Sequence, residues 1–270
     1  MVDLALQPLT IGTSGLGKRP GTGPALAEAC LRSPFLQIDT SNIYADGASE
    51  RAIGEAIRAI GGLPEDRRVF SKGDRDPVTG VFDGERMRRS FEESTERLGL
   101  ETLPLYQLHD PYTISVAEAM SPGGPVDVLI RLREEGRVGA IGIAAGTRAL
   151  VEEYVRTDVF DVVLTHNRYT VVDRSAEGIL REASERGMTV FNAAPFGSGI
   201  LAGGNFRGPT YAYAEPSPQF LAHVERFRAL CAEWGVEPAV AALHFSLREP
   251  RIHTTVVGVN SVERLEDRKS

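Results

Sequence analysis

Three successive apolar runs end in side chains of complementary chemistry: FLQIDT ends near an acid at Asp39, RVFSK in an amine at Lys72, and LYQLHD near an imidazole at His109. A phenol, Tyr44, follows Asp39 within the next loop. Taken singly, each has a plain reading: a turn cap for Asp39, a solvated amine for Lys72, a satisfied core histidine for His109 and loop packing for Tyr44. Together, at the ends of consecutive runs, they could couple proton transfer to hydride transfer at a carbonyl. A tyrosine titrates near about 10, so it needs a cation beside it for acid–base work. Lys72 can be that cation, Asp39 can keep a buried ammonium charged, and His109 can hydrogen-bond and polarise a substrate oxygen. Such general acid–base help is worth about 10²–10⁴ in rate.

Those residues must be carried by a scaffold that brings strand ends together. Short β-branched runs alternate with amphipathic stretches, the pattern of repeated β-α units. Strands are expected near 8–12, 35–39, 68–71, 104–109, 137–143, 160–165, 188–193 and 253–257, which suits a closed (β/α)8 TIM barrel formed by residues 1–270 as one domain. Ser49 is placed to cap a helix that turns Ile53, Ile57 and Ile60 to one face, and Asp83 to open another with Met87, Phe91 and Leu98 inward. Gly61-Gly62, Gly99, Gly136 and Gly187 stand where helices should stop. Loops over 110–123 and 197–217, rich in Gly, Pro and Ser, are expected on the binding face. In a barrel that face lies at the C-terminal strand ends, where Asp39, Lys72 and His109 fall.

Composition sets outer limits. With 42% hydrophobic and 25% charged residues, the 270-residue chain reads as an ordinary globular protein with ample material for a core. The net charge of −7, without a dense basic stretch, argues against nucleic acid or an anionic membrane as partner. The two cysteines, Cys30 and Cys231, lie on apolar helical patterns and read as packing residues. No secretory leader or membrane span is evident, so a cytoplasmic protein is expected. His109-Asp110 lacks an evident third ligand for a metal. Oligomeric state is not encoded in any readable pattern.

The stretch from Ile38 to Ile57, IDTSNIYADGASERAIGEAI, resembles the D-T-x-x-x-Y-x-x-x-x-S-E-x-x-I-G signature of the aldo-keto reductases. FSKGD, LYQLHDP and GRVGAIGI resemble the segments around that family's third, fourth and fifth strands. FDVVLTHNRYTVVDRSA and FNAAPFGSGILAGG are most similar to the branch containing D-threo-aldose 1-dehydrogenase and L-fucose dehydrogenase. The resemblance implies an NADP-dependent oxidoreductase, with NAD also open as cofactor, acting on a small carbonyl or sugar. Tyr44 would be the proton donor in reduction and the base in oxidation, tuned by Lys72 and Asp39, while His109 orients the carbonyl.

The cofactor has no Gly-rich fingerprint after the first strand, so a Rossmann arrangement is not expected. Barrels commonly bind phosphates near the loops after strands 7 and 8, using free backbone N–H groups and a helix N-terminus. Gly197, Ser198, Gly199 and Leu201 follow the seventh expected strand, and Gly258, Asn260 and Ser261 the eighth. By resemblance, Arg264 would grip an adenosine 2′-phosphate or stack on adenine, although the family's Lys-Ser pair is Gly258-Val259 here. The family's carboxamide-binding Ser-Asn pair is Ala144-Ala145, and its strand-6 glutamine is His166, so His166 and Asn167 are the candidates for that contact. The stacking tyrosine aligns with Ala193, leaving Phe196 as the nearby aromatic. The same residues leave two alternatives: a nucleotide-binding barrel that senses without catalysis, and a Schiff-base lyase using Lys72. The last eighth of the barrel is expected to end in a short or incomplete C-terminal helix.

Overall fold

The computed structural model describes residues 4–18, 23–202, 211–212 and 214–267. Eight parallel strands close into a barrel: β1 Leu9–Gly12, β2 Gln37–Asp39, β3 Arg68–Gly73, β4 Leu103–His109, β5 Val138–Ala145, β6 Val162–His166, β7 Thr189–Ala193 and β8 Thr254–Gly258. Each pairs with its sequence neighbours, and β1 pairs with β8 to complete the ring. The expected (β/α)8 architecture is therefore present, with no strand bound displaced by more than two residues.

Between the strands run α1 Gly23–Arg32, α2 Ala48–Ala59, α3 Gly84–Leu98, α4 Val116–Ala119, α5 Pro125–Glu134, α6 Arg148–Val155, α7 Glu177–Glu185, α8 Pro218–Glu233, α9 Pro238–Leu247 and α10 Val262–Asp267. Asp83 caps α3 as expected, its carboxylate accepting from the Arg86 N–H at 2.8 Å. Ser49 does not cap α2. The helix begins two residues earlier, with a left-handed Gly47 at its N-cap, and the fully buried Ser49 hydroxyl bonds the Thr13 hydroxyl at 2.9 Å. A chain that enters the helix through Gly47 leaves no side-chain cap, and Ser49 instead ties α2 to the loop after β1. Gly99, Gly136 and Gly187 take positive φ where α3, α5 and α7 end. Helix α10 runs six residues within the described chain.

Period-two alternation sorts the strand side chains into two layers. Ile38, Val69, Tyr106, Leu108, Ile141 and Val163 face the helices, packing on Ile53, Met87, Phe91 and Leu129. Phe70, Leu105, Ala140, Val162, Leu164, Phe191 and Val256 fill the barrel, with Leu4 among them. Counting two residues on from the inward Phe70 reaches Lys72. Four on from the inward Leu105 reaches His109. The alternation that builds the core thus aims these two at the mouth. Both cysteines are buried and free. Among the described residues no helix is long and apolar enough to cross a membrane.

One contact fixes α2 against α3. A Cβ on Gly54 would lie 1.9 Å from the carbonyl oxygen of Arg97, a backbone atom with no way to swing aside. Gly→Ala within a helix ordinarily gains about 0.5–1 kcal/mol. Here overpacking, at about 1–3 kcal/mol, outweighs it. Gly54→Ala is expected to lower the urea midpoint, and an unchanged or raised midpoint would show that α2 and α3 separate at little cost.

Candidate active site

Lys72 and Asp39 meet inside the mouth, 1% and 2% exposed. The ammonium donates to Asp39 Oδ2 at 2.6 Å and to the Thr40 carbonyl at 2.7 Å. A third, longer contact reaches the Tyr44 hydroxyl at 3.4 Å, with Nζ 4.9 Å from the phenol ring centre. Burial works against the ammonium, but Asp39 and Tyr44 outweigh it and hold Lys72 above its ordinary range. His109 closes the group: its ring meets that of Tyr44 edge-on at 5.7 Å. The structure brings Asp39, Tyr44, Lys72 and His109 together.

Tyr44 departs from expectation in one respect. Burial pushes its pKa up to about 12, with Lys72 pulling down and the carboxylates of Asp39 and Asp74 pushing further up. The expected influence of Lys72 is present in sign but is the smaller effect. Tyr44 is a neutral phenol throughout the physiological range rather than a standing phenolate.

The loop that carries Tyr44 is held from behind. Ala45, Asp46 and Gly47 all take positive φ, at 51°, 53° and 77°, a turn that costs free energy at the two residues bearing Cβ. Arg97 clamps it by donating to the Asn42 carbonyl at 2.9 Å, and to Glu50 at 3.1 Å. Glu50 is fully buried and also accepts from Ser71 on β3 at 2.6 Å. Arg86 donates to the Asn42 side chain at 2.8 Å and to the Asp74 carbonyl at 2.9 Å. One charged network thus joins α2, α3 and the strand bearing Lys72.

Several functional neighbours escaped the sequence reading. Asp74 lies two residues beyond Lys72, on the same inward parity, and that parity was the signal available. Its Oδ1 is 2.7 Å from His109 Nδ1, and its Oδ2 accepts from the Ser41 hydroxyl at 2.5 Å and the Ile43 N–H at 3.2 Å. Asp110, in a left-handed conformation just past His109, lies 3.8 Å from His109 Nε2 and 3.7 Å from His166 Nε2. Burial opposes its charge, but His166 and His109 hold its carboxyl down to about 2. Among the described residues no group of His, Cys, Asp and Glu is arranged to hold a metal ion.

The cofactor candidates divide. His166 ends β6 and packs on Gly146, where an added Cβ would meet the ring at 2.5 Å. Asn167 follows at φ 60°, with its carbonyl accepting from the Tyr211 hydroxyl at 2.6 Å and its Oδ1 buried without a hydrogen-bond partner. Gly197, Ser198 and Gly199 form a tight turn of positive φ after β7. The amides of Gly197, Gly199 and Leu201 are not free as expected: they donate to the carbonyls of Ala194, Phe196 and Phe196, because the turn closes on itself. Phe196 and Leu201 are buried in an apolar cluster with Tyr211, Val224 and Val257, which leaves Phe196 little ring face for stacking. Gly258, the last residue of β8, and Asn260 beyond it are exposed, and Ser261 is half-buried. Arg264 falls in α10, but its side chain lies outside the described residues, as do residues 203–210 and 213 of the loop after β7.

A closed eight-stranded barrel with a buried acid–amine pair and a phenol at its mouth defines a class that comparison makes explicit. Residues 8–269 match the model of the aldo/keto reductase family, and the chain belongs to that family. Among curated proteins it is similar to D-threo-aldose 1-dehydrogenase of a Pseudomonas species, 31% identical with 87% of this chain and 78% of that one covered. It is also similar to pyridoxal 4-dehydrogenase of Microbacterium luteolum, 26% identical with 95% and 88% covered. L-Galactose dehydrogenase of Arabidopsis thaliana is 28% identical, with 85% and 71% covered. A solved aldo-keto reductase from Bacillus halodurans in its holo form shares the fold, at TM-score 0.79 and 19% identity over 96% of this chain and 84% of that one.

Proposed function

We propose that the chain is an NAD(P)-dependent oxidoreductase that interconverts a carbonyl, such as an aldehyde, ketone or aldose, with an alcohol or lactone. The observation that carries this reading is the buried Lys72 ammonium set between the Asp39 carboxylate and the Tyr44 hydroxyl at the barrel mouth. Relatives named as aldose, galactose and pyridoxal dehydrogenases support a small hydroxylated aldehyde or sugar as substrate. A cytoplasmic small-molecule enzyme is the setting that fits the reading.

When bound, the nicotinamide supplies the hydride chemistry that no side chain can. The residues present fit such a group: the unpartnered Asn167 Oδ1, beside His166 at the end of β6, can accept a hydrogen bond from a carboxamide. In reduction Tyr44 hands its proton to the substrate oxygen as negative charge develops there. Lys72 stabilises the phenolate left behind, and Asp39 keeps Lys72 charged and aimed. His109 holds the same oxygen from the other side. A neutral, nucleophilic Lys72, which Schiff-base chemistry needs, is disfavoured by a carboxylate at 2.6 Å.

Fluorescence titration with NADPH and NADH, followed by rates on aldehydes and free aldoses, tests the reading. Saturable binding of at least one nucleotide is expected, NADPH the tighter by roughly tenfold if Arg264 meets its extra phosphate, which is about 1.4 kcal/mol. If neither nucleotide binds, the reading fails. Tight binding without turnover of any substrate would favour the sensing alternative.

A further inference from the structure

The Asp74–His109 contact restricts which hydrogens the imidazole can offer. Asp74 Oδ1 and His109 Nδ1 are 2.7 Å apart, a separation at which one of the two must carry a proton. Asp74 is 1% exposed and its carboxylate also accepts from Ser41 and from the Ile43 N–H. The single Ser41 hydrogen is committed to Asp74 Oδ2, so although Ser41 Oγ is 3.0 Å from Nδ1 it has no hydrogen left for it. With Asp74 as a carboxylate accepting from Ser41, from Ile43 and from the ring, the proton between Asp74 and His109 sits on Nδ1. A neutral ring so fixed presents a bare lone pair at Nε2, which would repel a carbonyl oxygen. Only the doubly protonated ring can donate to that oxygen while keeping Asp74.

We propose that Asp74 is a positioning residue which obliges His109 to meet the substrate carbonyl as an imidazolium, so that an Asp74–His109 ion pair polarises the carbonyl. The inference rests on the reading of this site as a carbonyl oxidoreductase. No bond is made or broken at His109: its Nε2 proton stays in place as a hydrogen bond, and the transferred proton remains that of Tyr44. The charged surroundings agree. Burial pulls the ring towards neutrality, but Asp74 from the loop after β3 and Asp110 from the end of β4 outweigh it, while Lys72 on β3 opposes them. Tyr44 meets the ring edge-on, β5 contributes the uncharged Ala144 opposite His109, and His166 on β6 reaches His109 through the shared Asp110. His109 is consequently raised above its ordinary 6.5.

Two measurements test this. Nitrogen-15 NMR of the imidazole in the cofactor-free protein should find Nδ1 protonated at every pH, with Nε2 losing its proton above pH 6.5. A neutral ring carrying its proton on Nε2 would overturn the proposal without any mutation. The second is the pH profile of carbonyl reduction: kcat/KM should fall as pH rises through the His109 titration. In Asp74→Asn that limb should move to lower pH, with kcat at pH 8 down roughly hundredfold, the scale of one lost oxyanion donor, and nucleotide affinity unchanged. A limb that stays in place in a variant with wild-type melting behaviour refutes the polarising role. Should Asp74→Asn fail to fold, the wild-type NMR result decides alone. If no nucleotide binds while the NMR expectation holds, the oxidoreductase reading has failed and the Asp74–His109 lock has not.

Discussion

Tyr44→Phe is expected to lower kcat for carbonyl reduction by about 10²–10⁴ while leaving nucleotide affinity and melting temperature nearly unchanged. The substitution deletes one hydroxyl and little else. The Phe ring keeps the edge-on contact with His109, and Lys72 still lies over it. Lys72 also keeps its two short bonds, to Asp39 and the Thr40 carbonyl, losing only the 3.4 Å contact. What disappears is the proton that Tyr44 retains up to about pH 12. Steady-state rates with a fluorescence titration of the same sample separate chemistry from binding. A loss under about tenfold would mean that another group supplies the proton.

Lys72→Met should cost the fold about 3–5 kcal/mol, besides abolishing activity, because it strands Asp39 as an uncompensated buried charge. Asp39 Oδ1 already lacks a hydrogen-bond partner, so the lost ammonium leaves that carboxylate with little to replace it. The double variant Lys72→Met/Asp39→Asn should recover most of the loss, since it removes the charge along with its partner. Urea denaturation of the two single variants and the double gives the coupling directly. Singles that each cost under about 1 kcal/mol would show the pair to be solvated. The wild-type contribution of Lys72 has a definite pH dependence. Its folded pKa lies above the ordinary 10.5, so the stabilisation is complete below that value and is lost only as pH rises through the higher folded one.

Much of the barrel is written in local pattern, because each strand is a short run flanked by glycine-stopped amphipathic segments. The inward aim of Asp39, Lys72 and His109 follows from the same alternation, so these three were readable together. Asp74 obeys that parity too. It escaped notice because it stands past the end of the apolar run, where a charged residue reads as loop. Arg86, Arg97 and Glu50 look like ordinary surface charges of helical segments, and only the tertiary approach of α2 to α3 buries them against the Tyr44 loop. Ser49 misled for a different reason: a good capping residue was displaced by the left-handed entry through Gly47, which Arg97 braces from outside. Gly-Ser-Gly after β7 suggested free amides, yet the turn closes those of Gly197, Gly199 and Leu201 on neighbouring carbonyls. Single-sequence reasoning sees residue types, whereas who spends which hydrogen bond is settled by neighbours distant in the chain.

Barrel closure sets an order of events in time. The seam joins Leu9 to Thr255, and Thr10 to Thr254 through side-chain hydroxyls 2.8 Å apart, across 244 positions of chain. At about 5–20 residues per second of synthesis, roughly 12–50 s pass between the emergence of β1 and that of β8. Throughout that interval one edge of β1 has no native partner, an invitation to pair with another nascent chain. Strands β2, β3 and β4, which carry Asp39, Lys72 and His109, need no such wait, because their partners are consecutive. The half of the candidate site built from these strands can therefore assemble on the ribosome, well before the seam beside it is sewn.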